Sequence, residues 1–472
     1  MPYKSKELFH YFHQFGSGEM ELESSAADCL SLAITDRHAL RGTLLIAGLH
    51  YSWNVGNLET FQAAFLFHKL EIIRNLNGRL ECADRETVML CVRQICTLCL
   101  SEVCFGNIAA AQAHLDGLMK FLDVAEKRNL ASVDADDTDT ELANRYIILT
   151  SNFLHILKSR LNDFVLLRDE NGASPFWDKF SPYALDLMHK WHKIEHRGLE
   201  NRLKAMRMLP HFFCPITTTR KSTKINGRPA MDSITQMTNA VDRRNGNSGS
   251  KYDNRVWNDG APNQLFVDYV HGHMSSFSEE DMTSPYSLSR GNGGSECLPS
   301  SWGGVAAAGG LYMQSVLNVA NVEEPIDPRL IRRLVMIIKR DMDHNVNDMR
   351  GQHGKALQDF WFWKSFVAAL ALAINKRDLE RRKAPWPAIS EEGAWSLQSI
   401  LRLMESRIRV EAAVVLYLTK DRSEAGVGIN DAAAYDAAMQ HYLGVSGDIA
   451  DVRTALYTAK QEVGSRKEFS KQ

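Results

Sequence analysis

The chain has 472 residues, a formal net charge of −2, 44% hydrophobic residues and 24% charged residues. That is globular composition, which excludes a disordered chain, and the near-neutral charge excludes nucleic-acid binding through the whole surface. The length allows a sizeable core and more than one domain.

The N-terminal stretch "MPYKSKELFHYFHQFG" lacks the long apolar run of a secretory signal. Helix signals then follow one another. "DRHALRGTLLIAGLHYSW", Asp36 to Trp53, precedes a turn at Asn54 to Asn57. From Leu58 to Leu80, apolar residues recur at Phe61, Phe65, Leu66, Ile72, Ile73, Leu76 and Leu80. Asp84 is a suitable N-cap for "RETVMLCVRQICTLCLSEVCF", which carries Cys91, Cys96, Cys99 and Cys104. A zinc site wants two cysteine pairs, or histidine partners converging from a turn. These cysteines instead lie among Val88, Leu90, Val92, Ile95, Leu98 and Leu100, as small hydrophobes do. Buried reduced thiols lead us to expect an intracellular protein.

Gly106-Asn107 breaks the chain before "NIAAAQAHLDGLMKFLD", where Leu115, Leu118, Met119 and Leu122 mark one helical face. Gly117 inside that helix costs about 1 kcal/mol relative to alanine. Two explanations present themselves: chemistry at His114, three residues before, or a neighbouring helix passing too close for a side chain. The acidic loop "ASVDADDTDT" then caps a helix from Glu141 to Leu167, and another runs from about Ser181 to Leu209.

From Thr217 to about Gly304 the sequence turns rich in Thr, Asn, Ser, Gly and Arg, which predicts a low-complexity flexible insertion with one short helix at "NQLFVDYVHGHM". Helices resume near Gly310. "FWFWKSFVAALALAIN", Phe360 to Asn375, is apolar nearly all round and includes Lys364; it is short of the roughly 20 apolar residues of a membrane span and reads as a core helix. Period-two runs with hairpin turns do not occur. The expected fold is all-α, a multi-helix array of about ten to twelve helices. Residues 1–216 would form its first half, 217–304 the insertion, and 305–472 a second half packed with the first.

The chemistry-bearing patterns are weak. His189, His192 and His196 share a helix face, but Lys190 and Lys193 suggest solvent there, and the order H-E-x-x-H is absent. Asp134, Asp136, Asp137 and Asp139, with "NDMRGQHGK" (Asn347 to Lys355), offer a class I terpenoid-synthase alternative. Lys355 stands where that motif needs a magnesium-ligating carboxylate. The chain has no phosphate-binding P-loop, no nucleophile elbow and no dinucleotide fingerprint. We assign no catalytic residue, cofactor or metal site from sequence.

Phe67 to Leu118 resembles the regulatory region of fungal zinc-cluster transcription factors. One helix of that region carries a histidine followed by spaced apolar residues, matched by His68, Ile72, Ile73, Leu76, Asn77 and Leu80. The next two carry a glutamate, a Gly-Asn turn, a histidine and a glycine-leucine pair, matched by Glu102, Gly106-Asn107, His114, Gly117 and Leu118. The segment "FWFWKSFVAALAL", with Trp363, is similar to a further part of the region. In such a fold Gly117 and His114 would mark a tight helix crossing.

The family's N-terminal six-cysteine zinc cluster has no counterpart, since Cys29 is the only cysteine before Cys82. The resemblance therefore implies a regulator without its own DNA reader, which is either lost or encoded upstream of Met1. It would act in the nucleus, or alternatively the cytoplasm, through protein partners or as a homodimer, with room for a small effector. Neither a membrane nor sequence-specific DNA is an expected partner. Arg220, Lys221, Lys224 and Arg228 form a modest basic run suited to nuclear import. The competing expectation is a helical enzyme or a cytosolic scaffold.

Overall fold

A computed structural model describes residues 3–14, 36–81, 84–131, 138–169, 203, 206–207, 209–212, 222–246, 261–277, 285–286, 288, 297–317 and 326–344, with seven positions between 357 and 371. Among the described residues the protein is mostly helical, with ten α-helices. They are α1 (Ser5–Gln14), α2 (Arg37–Val55), α3 (Gln62–Asn77), α4 (Arg85–Cys104), α5 (Ile108–Lys127), α6 (Thr138–Asp169), α7 (Arg228–Gly246), α8 (Ala261–Ser275), α9 (Trp302–Leu311) and α10 (Pro328–His344). One antiparallel strand pair joins β1 (Ile225–Asn226) to β2 (Pro299–Ser300), with Ile225 opposite Ser300 and Asn226 opposite Pro299. The chain divides into two compact units, residues 1–223 with 262–281, and residues 224–261 with 282–472.

In the first unit α4 is the central helix, packed against α2, α3, α5 and α6. By length and apolarity it could cross a membrane, yet 89% of its apolar window is enclosed by these neighbours. Its ends are set locally. Asp84 Oδ1 accepts the Thr87 N–H at 2.8 Å, and Gly106, at φ 78°, turns the chain into α5. Asn107 Oδ1 caps α5 by accepting the Ala110 N–H at 3.4 Å. Asp36 caps α2 through the His38 N–H at 2.7 Å, and Gly56, at φ 92°, closes it.

Among the described residues the tight helix crossing expected at Gly117 is not there. A Cβ built on Gly117 would meet nothing within 4 Å, and the residue is exposed. The close approach falls at Gly48 of α2, where a Cβ would lie 2.5 Å from Phe65 Cδ2 of α3. Two glycines in similar amphipathic helices differ only in what faces them, which local sequence does not encode.

In the second unit every residue of α9 is buried. Its small side chains let neighbours come close: a Cβ on Gly304 would collide with Asp341 of α10, and one on Gly227 would lie 3.1 Å from both Val305 and Phe360. Within 217–304, expected to be flexible apart from one short helix, that helix is present as α8, and the described residues add α7 and both strands. Buried Ala230, Ser233, Ile234, Met237 and Thr238 recur at helical spacing in α7. That face is small and half polar, so it carries little apolar signal despite being helical. Leu357, Phe360, Trp363, Lys364, Val367, Ala368 and Ala371 are helical and buried, in line with the core helix read from "FWFWKSFVAALAL".

Candidate functional site

Glu102, at the C-terminal end of α4, organises the corner that the sequence resemblance picked out. Its main-chain carbonyl accepts the Asn107 N–H at 2.9 Å, and its carboxylate accepts the Asn107 side-chain amide at 3.0 Å. Lys69 of α3 closes an ion pair on the same carboxylate. The half-buried His114 of α5 stands near both: burial lowers its pKa, the Lys69 charge lowers it further, and the Glu102 charge opposes. Glu102 and Gly106-Asn107 are thus held together at the α4–α5 turn, with Lys69 as a member that sequence spacing did not reveal and His114 within the field of both charges.

His68 takes no part in that corner. It is buried on α3, where its Nε2 lies 2.9 Å from Ser5 Oγ of α1, and its pKa is pushed down to about 4, chiefly by burial. Gly117 points into open space on the outer side of α5. Trp363 belongs to the second unit, where it is buried, stacks on Phe360 with ring centroids 6.1 Å apart, and lies 5.6 Å from the Tyr312 ring.

Of the basic run, Arg220 and Lys221 lie outside the described residues. Lys224 is half-buried just before β1. Arg228 begins α7, with its Nε donating to Asp232 Oδ1 at 2.9 Å. Of the acidic cluster only Asp139 is described; it pairs with Arg93 at 3.4 Å in the first turn of α6. Asp134, Asp136, Asp137, Asn347, Asp348, Gly351, Lys355, His189, His192 and His196 lie outside the described residues. Among the described residues no group of three or more His, Cys, Asp or Glu is placed to hold a metal. The α4 cysteines are buried thiols; Cys99 Sγ donates to the Ala111 carbonyl at 3.2 Å, and burial pushes its pKa up to about 12. Such a thiol is inert rather than nucleophilic.

Two buried polar clusters escaped sequence reasoning. In the first unit, Arg145 of α6 is fully buried and donates to Glu141 at 2.9 Å, His273 Nδ1 at 3.1 Å, Ser276 Oγ at 2.6 Å and Ser222 Oγ at 2.5 Å, beneath the Phe277 ring. It ties α6 to the end of α8. In the second unit, Asp341 of α10 accepts from Lys364 Nζ at 2.5 Å, Ser300 Oγ at 2.9 Å and the Ser301 N–H at 2.6 Å. Lys364 also donates to Ser300 Oγ at 3.1 Å.

A lysine beside a serine suggests a base and a nucleophile. Here the serine hydroxyl donates to Asp341, and Lys364 Nζ donates to both while forming the ion pair with that carboxylate. The cluster joins β2, the start of α9, α10 and the Phe360–Ala371 face. Comparison with known protein families, characterised proteins and solved structures finds no match to the chain.

Proposed function

We propose that the chain is a transcription-regulator-like helical protein that acts through protein partners rather than by catalysis or by reading DNA itself. The observation that carries this reading is the corner at the α4–α5 turn, where Asn107 is hydrogen-bonded to Glu102, Lys69 pairs with the same carboxylate and His114 feels both charges, at positions matched to the regulatory region of fungal zinc-cluster factors.

The two buried clusters fit the same reading. Their polar atoms are spent on fixing helices against one another rather than on a reacting group. Such a body supplies surfaces, and its site of action in this proposal is the nucleus.

The test joins the full chain to a well-characterised DNA-binding domain in a fungal host, with a reporter gene downstream of that domain's site and a fluorescent tag on the fusion-free chain. Nuclear accumulation of the tagged chain and a change in reporter transcription are expected. Retention in the cytoplasm together with an unchanged reporter would overturn the proposal.

A further inference from the structure

The outer side of α5 poses a problem that the first unit does not solve by itself. Ala110, Ala113, Gly117, Phe121 and Val124 follow one another at intervals of three and four, a single narrow stripe along the helix. Buried Leu115, Leu118, Met119 and Leu122 hold the inner side against α4, so this stripe is a second apolar face. Val124 is 49% exposed, Ala113 and Gly117 are exposed, and Phe121 is half-buried. A solvent-facing glycine weakens a helix without gain, unless something outside the chain uses the space it leaves. Among the described residues nothing comes within 4 Å of that space.

We infer that this face is the contact between two copies of the chain, with their α5 helices crossing antiparallel at Gly117. The stripe is complementary to itself in that arrangement. An axis of two-fold symmetry at Gly117 sets each position against the one equally far on its other side. Phe121 meets Ala113 of the second copy, and Val124 meets Ala110. The bulky half of one face fills the small half of the other, and the two glycines let the backbones approach where they cross.

The charges agree. Asp116 and Lys120 lie on the same flank of the stripe, one helical turn apart. The two-fold operation brings Lys120 of each copy beside Asp116 of the other, giving two symmetric ion pairs. Lys120 is exposed and has no ion pair among the described residues, while Asp116 accepts only the Gln112 amide at 3.0 Å. A parallel crossing would instead set the bulky half of one face on the bulky half of the other, Phe121 on Phe121. On the other flank, Lys69 joins α3 to the Glu102–His114 corner, and α3 carries the exposed Leu66 and Leu70. The inference stands on this geometry and does not depend on the regulatory reading.

Sedimentation of the full chain over a concentration series tests it, with circular dichroism to confirm folding of each variant. The wild-type protein is expected to dimerise. Gly117→Leu, which adds a side chain into space open within the chain, should fold normally and weaken dimerisation by at least about 10-fold. Gly117→Cys should form a cross-link between copies under mild oxidation, since the two positions meet at the axis. Lys120→Glu should weaken association, and adding Asp116→Lys should restore it. A wild-type chain that stays monomeric, a dimer indifferent to Gly117→Leu, or a folded Gly117→Cys variant that never cross-links would each overturn the inference.

Discussion

Lys364 Nζ lies 2.5 Å from Asp341 Oδ2, and the two side chains are 1% and 0% exposed. An ion pair removed this completely from water is stabilising only while both partners are present, because either one alone is a buried charge without compensation. Ser300 Oγ and the Ser301 N–H complete the carboxylate's hydrogen bonds, which is what makes the arrangement tolerable.

Lys364→Met should accordingly destabilise the protein by about 3–5 kcal/mol in chemical denaturation, since it leaves the buried Asp341 carboxylate without its ion partner. The paired change Lys364→Met with Asp341→Leu should recover part of that loss. A single variant as stable as the wild type would show that Asp341 reaches water.

Gly48 and Gly117 should answer to alanine in opposite directions. Gly48→Ala forces a methyl to 2.5 Å from the buried Phe65 ring and should cost about 1–3 kcal/mol through overpacking. Gly117→Ala meets nothing and removes a flexible residue from a helix interior, so it should stabilise by about 0.5–1 kcal/mol when melted at high dilution. Equal responses would mean that the α2–α3 approach is looser than described.

How much of this could be read from the chain depends on where the information lies. Asp36, Asp84 and Asn107 announce their helices because a cap is a contact between near neighbours in sequence. The buried cysteine face of α4 was legible from its apolar surroundings. The difference between Gly48 and Gly117 was not, since it depends on Phe65, which belongs to another helix. α7 was missed because its buried face mixes Ala230, Ser233 and Thr238 with Ile234 and Met237, and α9 because a helix buried all round shows no period. Lys364 was seen as a lone charge in an apolar segment; its partners lie 23 and 64 residues away.

Stability should fall on mild acidification. His13, His50 and His68 have pKa values lowered by burial to about 4, 3 and 4, from the ordinary 6.5. A ring nitrogen of each is buried without a partner among the described residues. The groups around them are Ser5 and Tyr11 on α1, Arg41 on α2, Glu71 on α3, and Arg207, whose Nε donates to His50 Nε2 at 3.1 Å. Folded pKa values below the unfolded one mean that the unfolded chain binds more protons. The contribution is complete above pH 6.5 and is lost as pH falls towards 4, each group giving a slope on the order of 1 kcal/mol per pH unit. Denaturant midpoints should drop between pH 7.5 and pH 5, and His68→Gln should flatten the slope. A midpoint constant over that range would mean that these rings are hydrated.

The remaining prediction concerns DNA. Sequence readout needs an element held in a groove and phosphate contacts around it. The net charge of −2 supplies no general attraction, and the chain contains no six-cysteine cluster. Within the basic run, Arg228 is engaged with Asp232 on its own helix, and Lys224 is half-buried beside β1. Neither is a free cation on an extended segment. Contact with duplex DNA should therefore be weak, indifferent to sequence, and lost steeply as salt rises, because only counterion release drives it. Gel-shift titrations against several duplexes at low and physiological salt would measure this. One duplex retained at nanomolar concentration over random competitor, at physiological salt, would show that the protein carries a reader of its own.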